Sequence, residues 1–169
     1  WNGKKILVLG AARQGLALAR YLTSHGANVV LNDSKSPDLF SVELQPLLDL
    51  GVDMVFGSHP VDLLTGIDLL CLSGGIPLSL PIVQQAVQKG IPLSNDSQIF
   101  MEAVPCRTIG ITGSAGKTTT TTLVGRMAEV GHPAKVWVGG NIGLPLITFV
   151  DQMQPEDLVV MELSSFQLD

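Results

Sequence analysis

The chain has 169 residues, 46% of them hydrophobic and 15% charged, which supplies a packed core and excludes a disordered polypeptide. Fifteen acidic against ten basic residues give a formal net charge of −5, so the basic stripe that a nucleic-acid partner requires is missing. No apolar run approaches the roughly 18 residues that span a bilayer, and two cysteines, Cys71 and Cys106, make neither a disulfide framework nor a zinc motif. The expected setting is a reducing cytoplasm, without a signal peptide, because Arg13 interrupts the apolar stretch after Lys4-Lys5 and no small-residue cleavage site follows.

Strand-like and helix-like runs alternate along the whole chain. Lys5–Gly10 is a continuous apolar strand that stops at a glycine, and Gln14–Ser24 places Leu18, Tyr21 and Leu22 at helical spacing before Gly26 as C-cap. Asn28–Asp33 is a second strand, followed by a polar turn over Ser34–Asp38. The pattern then predicts strands at Asp53–Gly57, Asp68–Ser73, Ile91–Ser94, Thr108–Gly113, Lys135–Val138 and Leu158–Leu163. Helices are predicted at Phe40–Leu50, Pro81–Lys89, Ser97–Val104, Lys117–Val130 and Pro145–Met153. Strands that are apolar throughout and alternate with helices read as parallel α/β units. Two glycine-rich strand-to-helix turns, near residues 10 and 113, each open a sheet of their own. The chain therefore divides near residue 95, where Asn95-Asp96 offers a turn and an N-cap.

The second glycine turn carries the sharper chemistry. Thr108–Thr119 reads as strand, loop Gly113-Ser114-Ala115-Gly116, then Lys117-Thr118-Thr119 at a helix start. Backbone N–H groups of such a loop point inward at phosphate oxygens, and the helix N-terminus adds its partial positive charge. Lys117 reaches the β- and γ-phosphates of a nucleotide and the Thr118 hydroxyl holds Mg²⁺. The full P-loop pattern wants glycine where Ile111 stands, so the match is to its shorter form. Threonine is a poor helix former, and Thr120, Thr121 and Thr122 read as packing or capping residues.

The first turn, Gly10–Gly15, also follows a strand and opens a helix, and Asp33 ends the next strand where a ribose-binding acid is expected. Ala12 occupies the position at which glycine lets a pyrophosphate approach. A diphosphate ligand other than NAD fits at least as well as NAD, and this motif does not choose between them.

Three further strings join the P-loop: Ser73-Gly74-Gly75-Ile76-Pro77, Gly139-Gly140-Asn141-Ile142-Gly143, and Glu162-Leu163-Ser164-Ser165-Phe166-Gln167-Leu168. In this order they resemble the Mur ligases of peptidoglycan synthesis, over nearly the whole chain. The last two strings most resemble the members that join D-glutamate to UDP-N-acetylmuramoyl-L-alanine. The resemblance implies a Rossmann-like, UDP-substrate-binding domain over residues 1–95 and the start of a P-loop ATPase-type α/β domain over 96–169. It implies that Arg13, Gln14, Asp33, Ser34 and Lys35 meet the nucleotide end of the substrate. Ser73, Gly74, Gly75, Asn141 and Ser164 are implied as further substrate contacts. Glu162 would bind a second Mg²⁺ between ATP and substrate. Gly74 stands where the family often has proline, and Ala115 where it commonly has asparagine.

The implied reaction is ATP-dependent. The alanyl carboxylate attacks the γ-phosphorus to give an acyl phosphate and ADP, and the amine of D-glutamate then expels phosphate. Lys117 and Glu162 are the implied catalytic residues. The family's further parts would follow Asp169, so the sequence reads as an N-terminal fragment without ligase activity of its own. His25, His59 and His132 read as surface or capping residues. Two rivals stay open: an amide ligase of the same superfamily that adds another amino acid or acts on a folate, and a nucleotide-sensing or NAD-binding module without chemistry. Residues 1–95 hold six basic and seven acidic residues and 96–169 hold four and eight. Anionic ligands must therefore be held by backbone N–H groups, single side chains and metal.

Overall fold

A computed structural model describes residues 1–164, which form two compact units, Trp1–Asp96 and the residues from Ser97 onward. Both are parallel α/β structures. Ser165–Leu168, the end of the string that begins at Glu162, lie outside the described residues.

The first unit holds β1 (Lys5–Leu9), α1 (Arg13–Ser24), β2 (Asn28–Asp33), α2 (Ser41–Asp49), β3 (Asp53–Phe56), β4 (Leu69–Leu72), α3 (Pro81–Gln88) and β5 (Leu93–Asn95). Short 3-10 turns at Pro37–Phe40 and Val61–Leu64 join some of them. The five strands run parallel in the order β3-β2-β1-β4-β5. Central β1 is apolar because both its faces are covered: Ile6, Leu7, Val8 and Leu9 are all fully buried. α1 turns Leu18, Ala19 and Leu22 inward and ends at His25, after which Gly26 takes the left-handed conformation at φ +86°. Cys71 in β4 is fully buried as a small core residue.

The second unit contains β6 (Arg107–Ile111), α5 (Lys117–Gly131), β7 (Val136–Gly140) and β8 (Leu158–Glu162), with α4 (Asp96–Ala103) preceding them from the boundary. The strands are parallel in the order β6-β8-β7, so β8 lies in the middle. Val159, Val160 and Met161 are buried accordingly. Gly125 of α5 lies against β7 with no room for a side chain, since a Cβ there would come 2.6 Å from a Val138 methyl.

Four expectations need correction. The predicted helix over Pro145–Met153 is a 3-10 run, Leu146–Gln152, after an extended Pro145. Its β-branched and aromatic stretch, Ile147-Thr148-Phe149-Val150, favours an α-helix poorly. The strand predicted at Ile91–Ser94 shifts to Leu93–Asn95, because Pro92 has no N–H to give the ladder and contributes only its carbonyl, to Leu70 N–H. Asn95-Asp96 makes no free turn, as Asn95 ends β5 and Asp96 begins α4 directly. β7 runs on to Gly140, because Gly139 and Gly140 pair with Met161 and Glu162. Among the described residues, no helix is long and apolar enough to cross a membrane.

Candidate functional site

In the first unit the chain runs outward from β1 to β3 on one side and from β4 to β5 on the other. The reversal leaves a crevice at the C-terminal ends of β1 and β4, where open α/β sheets bind ligands. The Gly10–Gly15 turn leaves β1 there and Ser73-Gly74-Gly75 leaves β4. The two loops touch: a Cβ on Gly10 would lie 2.9 Å from Ser73 Cβ, and one on Gly74 would lie 2.6 Å from Gln14 Oε1. Gly15 is pinned harder, since a side chain there would run into the Gly10 carbonyl. Ser73 is buried with a hydroxyl that makes no hydrogen bond, whereas Gly74, Gly75 and Arg13 are exposed.

Asp33 reaches this turn from the end of β2. Its buried carboxylate accepts the Ala11 N–H at 2.8 Å through Oδ2 and the Lys35 N–H at 2.9 Å through Oδ1. Ser34 and Lys35 follow it into solvent. The structure thus gathers Gln14, Asp33, Ser73, Gly74 and Gly75 around one glycine turn, with Arg13 at the start of α1. No local pattern in the sequence marks the neighbours of Asp33. Asn32 is fully buried, and its side chain meets His59, which lies beyond β3. His59 is therefore no plain surface residue. By contrast, His25 caps α1 through Tyr21 O and His132 ends α5 against Glu156 O.

In the second unit, strand register puts Ile111, Glu162 and Gly140 side by side at the C-terminal edge of the sheet. The loops leaving β6 and β7 consequently flank the end of β8. Gly140 must be glycine, because it has φ +103° and a Cβ would strike the Glu162 carbonyl. That carbonyl accepts the Asn141 N–H at 3.0 Å. The Glu162 carboxylate is 3% exposed; Oε2 accepts the Thr118 hydroxyl at 2.8 Å, and Oε1 takes a longer contact of 3.4 Å from Asn141 Nδ2. Neither bond makes Glu162 an ion-paired acid.

The β6–α5 loop completes the arrangement. Gly113 and Gly116 adopt φ +152° and +73°, the latter as N-cap of the 15-residue α5. Gly116 offers no side-chain cap, so among the described residues the first-turn amides of this helix have no capping side chain at the N-cap position. Ser114, Ala115, Thr118 and Thr119 are exposed around them. Lys117 Nζ folds back to donate to the Gly113 carbonyl at 2.8 Å. In the threonine run, Thr121 is fully buried and packs inward, whereas the exposed Thr122 donates to the Thr118 carbonyl of its own helix at 2.8 Å. Ser164 is half-buried just past β8.

The pattern of the Mur ligase middle domain matches residues 111–169. The UDP-N-acetylmuramoylalanine--D-glutamate ligases of Exiguobacterium sibiricum and Enterococcus hirae are 43% and 44% identical over 98% of the chain. The chain spans 36% of the length of each. Among solved structures, it resembles the UDP-N-acetylmuramate:L-alanyl-gamma-D-glutamyl-meso-diaminopimelate ligase of Neisseria meningitides. The TM-score is 0.58 at 20% identity, over 97% of this chain and 55% of that one. A murein peptide ligase of Psychrobacter arcticus gives 0.57 at 20% identity, over 97% and 39%, and both likenesses concern the fold. The pattern described as "Mur ligase MurD-like, N-terminal domain" covers residues 4–95, more than half of the chain, and the chain belongs to the MurD-like Mur ligase family.

Proposed function

We propose that this chain is the part of an ATP-dependent amide ligase that grips UDP-N-acetylmuramoyl-L-alanine and ATP, for addition of D-glutamate through an acyl phosphate. The observation that carries the reading is the contact of Thr118 with Glu162 beside an uncapped helix N-terminus. A buried carboxylate bonded to the threonine that follows the loop lysine makes a hard-oxygen pair, a donor set that suits Mg²⁺. Among the described residues no cluster of three or more acidic, histidine or cysteine side chains forms a metal cage. Mg²⁺ in phosphate sites characteristically takes few protein ligands and fills its shell with water and phosphate oxygens. The residues present fit the ion and the nucleotide.

ATP and Mg²⁺, when bound, supply the phosphoryl group and the charge neutralisation. The chain supplies position. The loop amides from Gly113 to Thr119 would hold phosphate oxygens, and Thr118 with Glu162 would hold the metal. Lys117 would exchange the Gly113 carbonyl for a phosphate oxygen, a stronger charge-assisted partner. Asn141 orients Glu162 and would face the sugar or phosphate region of the substrate, with Ser164 beside β8. In the first unit Arg13, Gln14, Asp33, Ser34, Lys35, Ser73, Gly74 and Gly75 would hold the uridine-diphospho end. Phosphoryl transfer asks mainly for such positioning and electrostatic stabilisation. The setting is the cytoplasm, where ATP is supplied.

The experiment is phosphate release by a protein of the relatives' full length that carries this sequence, assayed with UDP-N-acetylmuramoyl-L-alanine and a panel of amino acids. D-glutamate should be required. Equal turnover with another amino acid would contradict the assignment.

A further inference from the structure

Asn32, one residue before the end of β2, is fully buried and uses every polar group of its side chain. Its Nδ2 donates to the carbonyls of Val55 at 2.7 Å and Ser58 at 2.8 Å. Those two acceptors fix the amide, because the flipped form would set its oxygen against both carbonyl oxygens. Oδ1 therefore faces His59 Nδ1, and since Oδ1 can only accept, Nδ1 carries the proton.

The same stretch of β2 also holds the glycine turn. The Asn32 carbonyl accepts the Gly10 N–H at 2.8 Å, and the next residue, Asp33, accepts the Ala11 N–H. Gly57, where the chain leaves β3, donates to the Asp33 carbonyl at 3.0 Å and the Lys35 carbonyl at 3.2 Å. One hydrogen-bonded cluster thus runs from His59 through Asn32 to the turn. We propose that His59 is a positioning residue for the nucleotide end of the first unit: its Nδ1–H completes the Asn32 amide, and through Asn32 and Asp33 it sets the pose of the Gly10–Gly15 turn. The inference rests on the reading that this turn and Asp33 hold a nucleoside diphosphate. Without the imidazole, a buried acceptor loses its partner, and the amide regains one only by leaving Val55 and Ser58.

A simple anchor for the loop after β3 would change stability and leave ligand affinity alone. The test measures both, by equilibrium dialysis of the 169-residue chain with UDP and by thermal melting. His59→Asn keeps a nitrogen donor the same number of bonds from the backbone, whereas His59→Leu has the same branching and no donor. The asparagine variant should bind UDP as the unsubstituted chain does, and the leucine variant about tenfold more weakly. Equal UDP affinity in the two variants, whatever their melting temperatures, would overturn the proposal. Should the leucine variant not fold, His59→Ala takes its place with the same two outcomes. Absence of UDP binding by the unsubstituted chain would defeat the nucleotide reading itself and the inference with it, and that result is visible before any variant is made.

Discussion

The Thr118 hydroxyl donates a 2.8 Å hydrogen bond to Oε2 of Glu162, joining the first turn of α5 to the end of β8 across 44 residues of sequence. The register of β6, β8 and β7 fixes where that carboxylate stands, and the Asn141 backbone amide bonded to the Glu162 carbonyl keeps it there. Its side-chain partners are neutral, the Thr118 hydroxyl and the Asn141 amide.

Glu162→Gln tests that role. The amide is close in shape and still accepts from Thr118, so folding should be little changed. In a full-length ligase, turnover should fall by at least about 100-fold, the scale of losing one preorganised electrostatic group. The measurement is kcat with saturating substrates, alongside thermal melting of the same variant.

Lys117→Met should separate nucleotide binding from folding. Its ammonium contacts only the Gly113 carbonyl among the hydrogen bonds described, and that bond is exposed. Loss should cost no more than about 1 kcal/mol of stability. ATP binding should weaken strongly, measured by titration calorimetry with Mg²⁺ present.

The second unit should lose stability in acid through Asp157. This buried carboxylate accepts Trp137 Nε1–H at 2.8 Å, Gln154 N–H at 3.0 Å and Lys135 N–H at 3.2 Å. The Trp137 bond foremost, then the Gln154 amide, hold its pKa below the usual carboxylate value, against the opposing effect of burial. A depressed folded pKa means that the unfolded chain binds the proton more readily. The contribution is complete above the unfolded value of about 3.9 and is lost as pH falls through the folded one. Urea midpoints followed by tryptophan fluorescence should decline in acid for the unsubstituted chain. Asp157→Asn should start lower at neutral pH and decline less.

Two glycines of the first unit should respond differently to alanine. At Gly74 the added methyl meets the free end of the Gln14 side chain, which can swing away, so Gly74→Ala should shift stability by less than about 0.5 kcal/mol. At Gly15 it meets the Gly10 carbonyl, which is backbone held in a turn. Gly15→Ala should cost about 1–3 kcal/mol, an overpacking penalty. Denaturant melts of the two variants check both values.

Much of this was legible in the residues themselves. The apolar runs of β1 and β2 and the glycines at 10, 26, 113 and 116 mark strands, a cap and two strand-to-helix turns, because each signal is local. Glu162 was reached instead through the family-like string that it begins. Register was not legible: nothing near Gly140 says that its neighbour across the sheet is Glu162. Nor does local periodicity pair Asn32 with His59, since two polar residues 27 positions apart meet only once β2 and β3 are aligned. The run from Leu146 to Gln152 has apolar residues at helical spacing and still winds as a 3-10 segment, a choice made by β-branched side chains rather than by pattern.

The proposed function requires that a full-length ligase carrying these residues activate a carboxylate by phosphorylating it. The direct measurement uses UDP-N-acetylmuramoyl-L-alanine labelled with ¹⁸O in the alanyl carboxylate, ATP, Mg²⁺, D-glutamate and a full-length ligase carrying this sequence. An acyl phosphate leaves one labelled oxygen in the released inorganic phosphate, with ADP as the other product. Label recovered in AMP, or phosphate released without label, would contradict the account.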